Sequence, residues 1–418
     1  MSWVGCQAAF PLSLYAEVIM KHAIKMTALA VFAASFGATA MADDKASTTG
    51  GFKIKSEDGN FEAKIGGRIH FDANYYIDED DINKGKQNSG NDFFFRRARL
   101  TLEGRAYDFT YKFENDFASS GAGAAKNNEG LREMWIGKKV LGDANLRLGQ
   151  AKPYRGMEEL TSSNELTFME RPFATATGIY GEQFVLGAFL DGHGEGYGWG
   201  VSAYSPRSAS DDNAGGNGAN ARGFIVPIRS NGNLVHIGLS ASVDKYGLGN
   251  EKNPNVRVVG RENGLKSGSL LAAKYDEQTT IALELAARFG AMTLQGEYAK
   301  AAFKDTITAV PSADQDVDTY YVQASYMLTE HTKPYDFKKG VFKSPKVDGE
   351  EGAVELKARY DQIENKDISG NEASYYTVGV NYYATPNTRF MLEYVDGETT
   401  VGTDKKASAV TARAQFNF

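Results

Sequence analysis

Between Ala98 and Ala106 the chain reads ARLTLEGRA and changes character at every step. Ala98, Leu100, Leu102, Gly104 and Ala106 are small or apolar, whereas Arg97, Arg99, Thr101, Glu103 and Arg105 are polar or charged. A two-residue period places the two sets on opposite faces of a β-strand. Alternating strands also occur in secreted β-proteins, so one strand decides little; its recurrence decides more. Ala63, Ile65, Gly67, Ile69, Phe71, Ala73 and Tyr75 stand opposite Lys64, Arg68, His70, Asp72 and Asn74. The pattern returns at Val235–Val243, Ile281–Phe289 and Val354–Tyr360, and again at Val410–Phe418. No segment after residue 42 holds 18 consecutive apolar residues, so none reads as a membrane-spanning helix. Repeated alternating segments of about ten residues instead match a closed barrel, the other structure that satisfies every backbone group in lipid.

The two ends of the chain fit that reading. Residues 20–42, MKHAIKMTALAVFAASFGATAMA, run from a basic stretch (Lys21, His22, Lys25) through an apolar one to Ala40-Met41-Ala42. This is the layout of a secretory signal peptide, with residues 1–19 as an over-extended start. The domain reading is therefore leader and start over 1–42, a short segment over 43–60 and a barrel over 61–418. The single cysteine, Cys6, precedes the leader, so neither disulfides nor thiolate-bound metal hold the exported chain. A net charge of −7 argues against a nucleic-acid partner. The last strand ends on Phe418, like the assembly signal of bacterial outer-membrane barrels read by the barrel-assembly machinery.

Short joints and long polar loops alternate along the chain. Joints fall at Tyr107–Phe109, Leu141–Ala144, Ser230–Asn233, Phe289–Ala291 and Thr385–Asn387. Long loops fall near 77–92, 119–130, 151–178, 206–221, 246–278, 304–317, 364–373 and 397–406. Eight such loops imply an all-β, antiparallel transmembrane barrel of about sixteen strands. Its 22 Tyr and 24 Phe, many near strand ends, suit aromatic belts facing membrane lipid and lipopolysaccharide. The connection 330–352 is too long for the joint side, and its composition does not explain it.

An arginine facing lipid at mid-bilayer costs roughly 2–4 kcal/mol. The face carrying Arg97, Arg99 and Arg105 therefore lines the lumen, and Arg96, just outside the regular alternation, sits at the strand mouth or on a bulge. Residues 149–171, GQAKPYRGMEELTSSNELTFMER, are long enough to fold inward as the third loop after the fifth strand. With Gly66-Gly67-Arg68, Phe95-Arg96-Arg97, Gly149-Gln150, Glu159–Ser163, Glu170-Arg171 and Asn233–Leu239 in this order, the chain resembles the phosphate-selective porins, the O and P type porins of Gram-negative outer membranes. The resemblance implies a sixteen-stranded barrel, usually a homotrimer, constricted by an inward third loop. It also implies phosphate or other small anions as solutes, drawn by an arginine ladder and serine hydroxyls. Carried over by motif, Arg68, Arg96, Arg97, Arg171, Ser162 and Ser163 match. Guanidinium groups stay charged and offer forked donors to phosphate oxygens. Arg97 and Arg171 are expected at the constriction, Arg68 and Arg99 along the lumen, and no cofactor or metal is expected.

Two positions depart from the phosphate-specific pattern. Glu159 stands where those members carry a lysine, and Arg132 where they carry an aspartate. A carboxylate at the constriction repels phosphate unless Arg132 meets it. Glu62, Asp72, Glu103, Glu114, Glu284, Glu355 and Asp361 also face the lumen, so each arginine has a second reading as a mere partner of these acids. A general or cation-preferring diffusion porin is thus the alternative. An adhesive barrel and a barrel enzyme are the others. His70 and Asp72 share a face, but no serine nucleophile is placed with them and no metal-ligand spacing appears. The glycine-rich DGHGEGYGWG at 191–200 reads as a turn entering a strand rather than a nucleotide loop.

Overall fold

A computed structural model describes residues 52–79, 92–120, 130–206, 215–230, 232–247, 251–259, 265–306, 312–347, 351–402 and 404–418. The expected leader lies outside them. One antiparallel sheet closes on itself. Its strands are β1 (Phe61–Glu79), β2 (Asp92–Ala106), β3 (Phe109–Asp116), β4 (Leu131–Val140), β5 (Ala144–Ala151) and β6 (Val185–Gly194). β7 (Tyr197–Ser205), β8 (Gly216–Ser230), β9 (Asn233–Tyr246), β10 (Glu277–Phe289) and β11 (Met292–Lys304) continue it. β12 (Gln315–Met327), β13 (Ala353–Asn365), β14 (Glu372–Tyr383), β15 (Thr388–Thr399) and β16 (Lys405–Asn417) complete the ring. Each strand pairs with its chain neighbour, and β16 returns to β1 with Arg68 opposite Asn417. A further short strand, Phe52–Lys55, pairs with β1 just below that seam.

The expected sixteen-stranded antiparallel barrel is what forms, and its long and short connections alternate as expected, except that β8 already begins at Gly216, inside the expected 206–221 loop, and the expected 151–178 loop runs on to residue 184. The Glu195–Gly196 turn between β6 and β7 accounts for the glycine-rich stretch. Alternation decides the faces. Ile237, Leu239 and Val243 are exposed on the outside, whereas His236, Ser240 and Asp244 are buried inside. Two bulges break the period. The register of β1 against β2 shifts between His70 and Phe71, leaving Arg96 as the extra residue beside Arg97. The register of β3 against β4 shifts between Glu114 and Asn115, leaving Arg132 extra beside Glu133. Each bulge turns two successive side chains inward.

The seam explains the paired glycines of β1. Phe418 donates its N–H to the Gly67 carbonyl at 3.1 Å and accepts the Gly67 N–H at 2.8 Å. A Cβ on Gly67 would stand 2.5 Å from the Phe418 ring and 2.4 Å from the Arg99 carbonyl oxygen. Only glycine lets the last residue lie this close to the first strand.

Candidate functional site

The barrel interior is largely filled from one side. The loop between β5 and β6, residues 152–184, folds inward as expected and carries two single helical turns, α1 (Met157–Leu160) and α2 (Phe173–Ala176). Wall acids take its N–H groups: Glu297 from Glu158 at 2.7 Å, Glu393 from Met169 at 2.8 Å, and Asp361 from Phe173 at 2.8 Å. Wall bases take its carbonyls: Arg389 reaches Leu166 at 2.8 Å, Lys357 reaches Thr167 at 3.0 Å, and Arg413 reaches Met169 at 2.7 Å. Arg155 anchors the start of the loop to Asp244 at 2.8 Å. The Tyr180 hydroxyl donates to Glu297 at 2.7 Å, and burial together with that carboxylate holds its pKa well above the usual tyrosine value. Buried polar groups persist only when bonded, and this side of the lumen supplies partners strand by strand.

Two more segments enter the lumen, neither foreseen. The fifth long loop carries a hairpin, Asn255–Val259 with Leu265–Ser269. Val256, Val258 and Val259 join Phe173, Ile179 and Tyr180 of the third loop in one buried apolar cluster. A Cβ at Gly397 on β15 would lie 2.1 Å from Val258, so that glycine makes room for the hairpin. The second segment is the unexplained joint-side connection, expected over 330–352 and bounded by the strands at 328–352. Its hairpin, Tyr335–Asp336 with Val341–Phe342, packs Val341 and Phe342 against Met157 and Phe224 beneath the third loop. Arg222 holds its tip through the Lys339 carbonyl at 2.8 Å, and the Ser344 N–H donates to Glu165 at 2.6 Å. The apolar pair Val341-Phe342 inside a polar stretch was the available sign of burial.

The water path follows the opposite wall. Side chains of Lys112, Arg132, Arg147 and Asp191 keep 20%, 22%, 19% and 23% of their surface, whereas Arg413 and Lys357 keep none. The gap therefore runs between β1–β5 and the third loop. Arg68 crosses it, donating to Ser163 at 2.7 Å and Ser162 at 3.5 Å while pairing with Glu114 at 2.8 Å. Arg99 pairs with Glu114 at 2.9 Å and Asp116 at 2.8 Å. Arg96 grips Glu170 of the third loop through Nε and Nη2, at 2.6 and 2.9 Å. Arg97 is buried against His70 at 3.4 Å and makes no ion pair among the described residues. Arg171 is also buried and donates to the Glu158 and Thr161 carbonyls, holding the loop's own shape. Arg105 lies at the short-turn rim, where it caps the Gly59 and Tyr107 carbonyls.

The two departures do not meet. Arg132 lies 3.7 Å from Asp116 and over the Phe184 ring, while Glu159 accepts a bond from Gln183 at 3.2 Å and keeps only 2% of its surface. Lys152, which donates to the Glu159 carbonyl at 2.6 Å, adds a basic group absent from the sequence reading. Burial, and then the nearby Arg171, hold its ammonium pKa well below that of free lysine. Lys112 and Arg147, also missed, were legible as charged residues on lumen-facing strand positions. Most of the lumen acids have basic partners: Asp72 with Arg413, Glu284 with Arg222, Glu355 with Lys333, Glu62 with Lys53 and Glu103 with Lys64. Asp361 forms no ion pair among the described residues and accepts the Phe173 N–H. Among the described residues no group of His, Cys, Asp and Glu could hold a metal ion.

A sixteen-stranded barrel with an apolar outside, a charged lumen and a loop folded into it is the build of an outer-membrane porin. Residues 63–418 match the family described as phosphate-selective porin O and P, and the chain belongs to that family. It is 26% identical to Porin O of Pseudomonas aeruginosa over 96% of this chain and all of that one. Among solved structures it resembles the anion-selective porin from Comamonas acidovorans, with TM-score 0.55, 14% identity and coverage of 86% and 100%. It also resembles the trimer form of OmpT from Vibrio cholerae, with TM-score 0.52, 14% identity and coverage of 86% and 99%. At these identities the two structures speak for the fold.

Proposed function

We propose that this porin passes small anions of the phosphate class by passive diffusion, through the gap between β1–β5 and the third loop. One observation carries the reading. Along that gap Glu114, Asp116, Glu133 and Glu170 are all ion-paired, while Arg97 and Arg171 beside it form no ion pair among the described residues. A passing anion meets the partly exposed guanidinium groups of Arg68, Arg132 and Arg147 and the Ser162 hydroxyl, with the unpaired charges of Arg97 and Arg171 buried behind them. Moderate sites in succession permit both entry and exit. The names of Porin O and of the Comamonas anion-selective porin support the same direction. The pore acts as a channel rather than an enzyme, and insertion by the barrel-assembly machinery through the Phe418 signal and assembly into a homotrimer are part of the proposal.

Reversal potential across a planar bilayer under a KCl gradient, followed by phosphate titration, tests it. Chloride preference with current falling as phosphate binds is expected. Cation preference would return the pore to the general diffusion class.

A further inference from the structure

Above the third loop, on the long-loop side, lies a cavity of about 500 Å³ that inorganic phosphate does not need. This is within the roughly 300–1,000 Å³ of small-molecule sites. One flank is apolar: Phe94 of β2, Phe173 of α2, Tyr375 of β14, and Val256 and Val258 of the inward hairpin. Phe173 and Tyr375 stand edge to face at 4.8 Å and form a fixed aromatic corner. Asp72, Glu170 and Glu393 line the other flank, and each already has a basic partner: Arg413, Arg96 and Lys357 respectively.

Two further lining groups keep their charge. Among the described residues, Arg171 donates only to loop carbonyls, and Arg359 only to the Glu170 carbonyl at 2.9 Å and the Tyr375 hydroxyl at 3.1 Å. The Arg359 Nε has no hydrogen-bond partner among them. Glu158, Glu159 and Asp361 sit near these arginines but do not line the cavity, so a ligand would touch the cations first.

We infer that this cavity captures amphipathic organic anions, joining a flat apolar body to a phosphate or carboxylate head, before they reach the constriction. The head lies against Arg171 and Arg359, and the body against Phe94, Phe173 and the two valines. An aromatic ring gains from edge-to-face contact there, and displacing water from apolar walls adds to it. The inference rests on the anion reading above and narrows its substrate class.

Phenylphosphate and inorganic phosphate, added separately to the long-loop side of the same bilayer-inserted pore, test it. Half-block of the chloride current by phenylphosphate should need at least about tenfold less ligand. Phe94→Ala removes a half-exposed wall ring with no anchoring bond, and should raise the phenylphosphate value roughly three- to tenfold. The inorganic phosphate value should stay unchanged. Val395→Ser, elsewhere in the apolar lining, should act in the same direction and guards against a defect peculiar to Phe94. Equal block by the two anions, or variants that shift both alike, overturns the inference while leaving an anion-selective pore standing. Cation preference in the reversal potential overturns both.

Discussion

Glu297 offers the most direct test of how the third loop is held. Its carboxylate accepts the Glu158 N–H at 2.7 Å, the Tyr180 hydroxyl at 2.7 Å and the Tyr321 hydroxyl at 2.6 Å. Two of these donors belong to the loop. Glu297→Ala leaves both buried without an acceptor, at about 1–3 kcal/mol each. Some 2–6 kcal/mol is therefore withdrawn from the docked state of the α1 end, less whatever the removed carboxylate cost in desolvation. Every 1.4 kcal/mol is tenfold in the ratio of docked to released loop. The far end stays tied to Arg389, Lys357 and Arg413, so the loop loosens rather than leaves. Single-channel recordings should show larger and noisier conductance with weaker ion preference, and Glu297→Gln about half the effect. The strand ladder is untouched, so heat-modifiable gel migration should remain. A folded Glu297→Ala pore with native conductance, noise and selectivity would refute the claim that this carboxylate tethers the loop.

Arg68→Ala removes the charge that spans the gap and leaves Glu114 to Arg99 alone. One charge at 4 Å in water-like surroundings is worth about 1 kcal/mol, so the anion-to-cation permeability ratio should fall by up to about fivefold. An unchanged reversal potential would remove Arg68 from the selectivity path. Lys152 has a pKa held well below that of free lysine, so its charge is lost on raising pH before free lysine titrates, near 10.4. Anion preference should therefore decline as pH rises, at lower pH than free lysine would give, and Lys152→Met should remove that titration. Gly67→Val drives a side chain into the Phe418 ring and the Arg99 carbonyl, so the heat-modifiable folded fraction should drop sharply. Folding at native yield would show that the seam tolerates a side chain.

Much of the pore was legible because a strand's pleat is local. The polar set His236, Ser240 and Asp244 alternates with apolar neighbours whatever else the chain does, and lipid outside fixes which face looks inward. Even Arg96-Arg97 announced a bulge by breaking the period. Arg132-Glu133 did the same less visibly, and Lys112 and Arg147 needed only the same count of two.

Partnership was not legible. Asp72 and Arg413 lie 341 residues apart and meet because the last strand closes on the first. Glu114 could have repelled anions or neutralised arginines; the registers of β1 on β2 and of β2 on β3 make it the partner of Arg68 and Arg99. The 328–352 connection gave only its length, since its burial depends on Met157, Phe224 and Arg222 arriving from two other elements, α1 and β8. The sequence by itself determined the barrel, its strand number and the facing of each strand, because backbone geometry and lipid impose them residue by residue. Tertiary structure alone decided which lumen charges are neutralised and which stay open to a solute, because ion pairs form between residues that only the closed barrel brings together.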